Sequence, residues 1–173
     1  MGGYPSYGIL NELAEMLSYK PLKTILRDLL FDKVSQRDGI NKTTFARKMY
    51  DLQKGNFVTI KGDQVTVTKK GWQRIDLERI DKLQWDDKKQ DGFFRLIIFD
   101  IPEKRRRARD ILREKLREFE CHQIQKSVFV TPYRCEEVMN ELVKLLHVER
   151  HVHIIKAVHL GHDDAKVRKH FRK

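Results

Sequence analysis

Apolar positions in the first third of the chain recur at three- and four-residue intervals. Ile9, Leu10, Leu13, Met16 and Leu17 make one such stripe, and Ser18–Tyr19–Lys20–Pro21 breaks it. Leu22, Ile25, Leu26, Leu29, Leu30 and Val34 resume the period behind Pro21, a residue suited to an early helical position, so the spacing predicts a second helix. Gln36–Arg37–Asp38–Gly39 reads as a turn. A third helix is predicted from Asn41 to Lys54, with Phe45, Met49 and Leu52 inward. Asn41 or Thr43 is placed to cap it, and Gly55 stands where a left-handed C-terminal residue belongs. The period then changes to two: Phe57, Val58 and Ile60, a turn at KGDQ, then Val65 and Val67 alternating with Thr66 and Thr68. Lys69–Lys70–Gly71 is expected to end this hairpin, and Trp72–Leu83 to form a further helix.

The stretch Ile80–Gly92 crowds charge and polarity between two patterned segments and marks a domain boundary. Beyond it, Phe93–Phe99 reads as a strand apolar on both faces, as an interior strand is. A basic amphipathic helix follows, with Ala108, Ile111, Leu112, Leu116 and Phe119 as its apolar stripe. Short strands near His122–Gln125 and Ser127–Pro132, a helix over Arg134–His147 and a strand over His151–Leu160 complete the series. The expected fold is α+β: a winged helix-turn-helix over 1–85, then a ferredoxin-like βαββαβ domain over 86–173 ending in a basic tail.

Composition sharpens this picture in one respect. The 173 residues carry 36 Lys plus Arg against 25 Asp plus Glu, a formal charge of +11. Both halves are basic, with 15 cations against 10 acids over residues 1–85 and 21 against 15 beyond. A polyanionic partner, nucleic acid above all, is the simplest explanation. No stretch approaches the roughly 18 apolar residues of a membrane span, and MGGYPSYGIL has no secretory pattern. Cys121 and Cys135 fit no C-x-x-C motif, so neither a zinc knuckle nor a disulfide framework is expected. A cytoplasmic chain without membrane contact is the expectation.

Candidate chemistry concentrates in two places. Lys42, Thr43, Thr44, Arg47 and Lys48 put cations and hydroxyls on the first turns of the third helix, the groups that bond phosphates and base edges in a major groove. Lys61, Lys69 and Lys70 would supply a wing against the neighbouring backbone; the same lysines also protect an edge hairpin from aggregation. In the second segment Arg105, Arg109 and Arg113 are expected on one exposed helix face. Arg105, Arg106, Arg107 and Arg109 stand ready for phosphates beside Asp100, or form a solvated face interleaved with Asp110 and Glu114. His151 and His153, with His147, His159 and His162 nearby, form an H-x-H without a fixed third ligand.

The segment FRLIIFDIPEKRRRARDILREKLREF followed by QKSVFVTP resembles the strand–Asp–basic helix–SVF pattern of CRISPR-associated protein two. The D-I-P-E form, behind the architecture read above, is similar to the PaaX-like transcriptional repressors, which carry such a domain behind a DNA-binding one. That resemblance covers about residues 93–160. It implies a homodimeric, sequence-specific regulator of double-stranded DNA that needs no cofactor to bind. PaaX-like proteins are longer, with an additional C-terminal domain, and the resemblance identifies no small-molecule effector here. In the CRISPR-associated nucleases the aspartate ending the first strand is a metal ligand paired across a dimer. Asp100 takes that place, with Ser127 and Phe129 on the SVF strand beside the implied cleft. The alternative reading is therefore a Mg²⁺- or Mn²⁺-dependent endonuclease with Asp100 catalytic, or a DNA-bridging adaptor in spacer integration. On the residues alone, Asp100 instead caps the helix that follows it.

Overall fold

The computed structural model describes residues 7–18 and 24–172. The chain divides into two compact units, Met1–Arg79 and Ile80–Lys173. Among the described residues no helix is long and apolar enough to cross a membrane.

The first unit runs α1 (Tyr7–Ser18), β1 (Thr24–Leu26), α2 (Arg27–Asp38), α3 (Lys42–Lys54), β2 (Val58–Lys61) and β3 (Gln64–Val67), and then enters α4 (Lys69–Lys82). Where helical periodicity pointed to one helix beginning after Pro21, the chain first forms a strand. Thr24, Ile25 and Leu26 lie opposite Thr66, Val65 and Gln64, making a three-stranded sheet in the order β1-β3-β2. A long-range pairing outweighs the local period here. Pro21 and Leu22 lie outside the described residues. Helix α2 then buries Leu30 and Val34 and leaves Leu29 exposed. Asn41 caps α3, its Oδ1 accepting from the Thr44 backbone N–H at 2.9 Å.

Gly55 closes α3 for a different reason from the one its position implied. Its backbone is right-handed, at φ −73°, and the left-handed residue is Asn56 at φ 59°. What Gly55 supplies is space, since a Cβ there would fall 2.6 Å from the Phe57 ring. Gly71 works the same way in the first turn of α4, where a Cβ would strike the Phe57 carbonyl oxygen. That turn begins earlier than expected because Thr68 caps it. The Thr68 Oγ1 accepts from the Gly71 N–H at 3.0 Å and donates to the Asn56 carbonyl at 2.7 Å.

The second unit contains the end of α4, then β4 (Gln90–Phe99), α5 (Arg106–Glu118), β5 (His122–Gln125), β6 (Val128–Tyr133), α6 (Glu136–Leu145), β7 (Val152–Ala157) and α7 (Asp164–Phe171). Its four-stranded sheet, in the order β5-β6-β4-β7, is antiparallel throughout. One face, with Ile97, Phe99, Phe129 and Ile154, packs on α5 and α6 through Leu112, Leu116, Met139 and Leu142. On the other face Phe94, Leu96, Val130 and Ile124 meet Val167 and Phe171 of α7. The basic tail is thus a helix folded back on its own sheet rather than a free extension. The central strand is also not wholly apolar. Arg95 is 2% exposed on the helix-packed side. It donates to Asp91 at 2.5 and 2.9 Å and to Glu136 at 2.8 Å.

Candidate nucleic-acid interface

Helix α3 buries Phe45, Met49 and Leu52, and the opposite face follows from a turn of about 100° per residue. Thr43, Arg47, Tyr50 and Lys54 fall on that outward face, and all four are exposed. The five residues singled out in the sequence therefore do not act as one row. Thr43 and Arg47 lie at its centre, Lys42 on one flank, and Thr44 and Lys48, both half-buried, on the other. Tyr50, 61% exposed in the middle of the row, was missed. Its signal is available in the sequence, three residues after Arg47 and one after the buried Met49.

The wing cations separate as well. Lys61 sits at the hairpin tip beside Gly62, whose φ of 57° lets β2 turn directly into β3. Lys69 and Lys70 belong to α4 instead. Lys70 is engaged internally: its Nζ donates to the Gly55 carbonyl at 2.8 Å and lies 4.7 Å from the Phe57 ring centre, tying the end of α3. Of the three proposed wing lysines, only Lys61 is carried by the hairpin.

In the second unit Asp100 follows the last residue of β4 and is exposed. Backbone bonds from Phe99 N–H to the Ser127 carbonyl (3.1 Å) and from Asp100 N–H to the His151 carbonyl (2.9 Å) bracket the strand exit. Asp100 does not cap the next helix. Ile101 is buried, Pro102 is extended at ψ 155°, a 3₁₀ turn fills Glu103–Arg105, and α5 starts at Arg106. A residue before proline is pushed toward extended backbone, which delays the helix by several residues. Ser127 precedes β6 rather than lying on it. Phe129 is fully buried, stacked 6.1 Å from Phe99, so it is core and lines no cleft.

The arginines beside Asp100 are largely occupied. Arg105 donates to the His147 carbonyl, and Arg109 donates to the Ile101 carbonyl at 3.3 Å and to Glu103 at 2.9 Å. Arg113 donates to the Lys126 carbonyl at 3.2 Å and stands over Phe99. Side chains 20% and 15% exposed at Arg109 and Arg113 replace the open face the spacing implied. Arg106, which faces Glu103 and Asp110 at 3.8 and 3.6 Å, and Arg107 remain on the surface. The H-x-H pair is split, His151 ending a 3₁₀ turn and His153 lying on β7 opposite Ile98. Among the described residues no three His, Cys, Asp or Glu side chains gather as a metal site, and one chain offers Asp100 as a single carboxylate. Among the described residues of one chain Asp100 would give a divalent cation one carboxylate, and its remaining oxygen ligands would come from elsewhere.

Residues 87–168 match the family model of the PaaX protein central Cas2-like domain. This second unit is similar to the PaaX central Cas2-like domain. No curated protein matches the chain. The matched region spans the whole four-stranded sheet, both helices on its first face and the start of α7.

Within this PaaX-like domain the strongest electrostatics are internal. The Arg95 guanidinium, hydrogen-bonded to Asp91, holds that carboxyl far below the usual range, and Asp91 in turn raises Arg95. Burial would raise Glu136, but the backbone N–H at the start of α6 and Arg95 bring it net down. Burial pushes both Cys121 and Cys135 up to about 12, so each is a core thiol and no nucleophile near neutrality.

Proposed function

We propose that the chain is a transcriptional regulator that binds double-stranded DNA sequence-specifically as a homodimer. In this reading the first unit is a winged helix-turn-helix, with α3 in the major groove and Lys61 on the adjacent backbone. The Cas2-like unit pairs the two copies. The observation that carries it is the outward row of α3, where Thr43, Arg47, Tyr50 and Lys54 stand exposed behind a capped N-terminus. Helix dipole, hydroxyl, cation and ring are together the equipment of a recognition helix. The net charge of +11 supports the same partner, and the match to a PaaX domain supports a regulator. Cytoplasmic location is part of this reading.

A second reading, a Mg²⁺- or Mn²⁺-dependent endonuclease, has one observation in its favour: Asp100 is exposed where a strand ends. It requires a second copy to bring another carboxylate. One experiment separates the two. Duplex affinity by fluorescence anisotropy, with chelator or with either metal, is expected to be equal in wild type and Asp100→Asn, and the duplex to stay intact. Metal-dependent cleavage by wild type that Asp100→Asn abolishes would replace the regulator with the nuclease. No binding to any duplex would remove both.

A further inference from the structure

Between α2, α3 and β2 the first unit holds a recess of about 380 Å³, inside the size range of small-molecule sites. Its floor is apolar. Phe45 and Met49 are buried, Phe31 meets Phe45 edge-to-face at 5.3 Å, and Ile60 closes the side toward the hairpin. Ala46 opens it, because a methyl group occupies the position between Lys42 and Tyr50 on one flank of α3. The rim is polar and net cationic. Lys42 Nζ stands 5.9 Å from the Phe31 ring centre, Arg27 lies beside it, Gln53 brings an amide, and Asp28 is the one carboxylate. Arg27 also faces Asp63 across 3.6 Å at an exposed position, a weak pair that leaves its guanidinium able to turn toward a ligand.

We propose that this recess binds a compact organic monoanion with a flat apolar body. The Phe31 and Phe45 rings and the Met49 thioether would bury apolar area, while Lys42 and Arg27 meet the charge at the rim. A neutral isostere loses the charge-assisted hydrogen bonds, and a nucleotide-sized ligand exceeds the space. Lys42 and Tyr50 border both the recess and the outward row of α3, so occupancy competes with duplex. This competition rests on the DNA-binding reading; the ligand site itself does not.

The test titrates naphthoate into the isotope-labelled full chain by NMR, with naphthalenemethanol as the uncharged counterpart. Saturable shifts are expected at Phe31, Lys42, Ala46 and Ile60, and affinity for the alcohol should be about tenfold weaker. Lys42→Ala should weaken naphthoate about tenfold as well, and Ala46→Phe, which fills the recess from an exposed position, should abolish it. Saturating duplex should weaken naphthoate several-fold. No saturable shift, equal affinity for the alcohol, or unchanged binding in both variants would overturn the site. Simultaneous binding of naphthoate and duplex would overturn the competition. Naphthoate binding in a chain that binds no duplex would leave the ligand site standing and remove the DNA reading.

Discussion

Lys70 and Arg47 are both exposed cations of a basic unit, yet the bonds around them assign different work. Lys70 holds the last carbonyl turn of α3 and covers Phe57, whereas Arg47 points outward with Tyr50 three residues on. Arg47→Ala is expected to weaken every duplex alike and to lower the salt slope by about 0.9, one phosphate contact. Lys70→Ala should leave that slope unchanged and cost the fold about 1 kcal/mol, a fall of ~4–8 °C in Tm for a unit this size. Tyr50→Ala should act on selectivity instead, narrowing the gap between preferred and random duplex by about tenfold, the weight of a single base pair. Salt-dependent anisotropy and thermal melts on the three variants check all of this. Equal salt slopes for wild type and Arg47→Ala would remove α3 as the recognition helix. From sequence, Arg47 and Lys70 look equivalent, because what distinguishes them is a carbonyl fifteen residues from Lys70.

Elements whose signals are local were legible in the sequence, and those that depend on distant partners were not. Helix α3 carries its cap, stripe and stop within fifteen residues, and the hairpin carries its alternation and its Gly-Asp turn. Strand β1 exists only because β3 lies beside it, and Arg95 is tolerated inside only because Asp91 and Glu136 receive it. Helix α7 shows two apolar contacts, Val167 and Phe171, too few to read as a stripe. Its docking has a further consequence. The rings of His122 on β5 and His170 on α7 lie 4.5 Å apart, and Lys166 brings a cation from α7 while Asp163 opposes it. Burial, then His170 and Lys166, lower the His122 pKa from its ordinary 6.5. The unfolded chain then binds the proton more readily than the folded one. The contribution is present above about pH 6.5 and is lost as pH falls through the folded value. Tm should therefore drop between about pH 7.5 and 5.5, and His122→Phe should reduce that drop. An identical drop in the variant would show that His122 does not set it.

At the scale of the whole molecule, α7 covers only part of the second face of the sheet. Strand alternation puts Leu96, Ile98, Val128 and Ile155 on that face, and α7 packs on Phe94, Leu96 and Val130 of it. Ile155 is 50% exposed on the edge strand β7, and Val158 just beyond is 69% exposed. Apolar side chains left open together at a sheet edge mark a surface that buries on association. A second copy is the partner the regulator reading requires, since a twofold pair matches a palindromic site with half-sites one helical turn or a multiple apart. Sedimentation at micromolar concentration is expected to show a dimer. Ile155→Asp, which places a charge on the open face without touching the α5–α6 core, should shift it toward monomer. The same variant should retain binding to a half-site and lose at least about tenfold on the full palindrome, where the second half-site no longer acts through a linked partner. A dimer unmoved by Ile155→Asp would place the copy interface elsewhere. A wild-type monomer, with and without DNA, would remove the palindrome and leave α3 reading single sites alone.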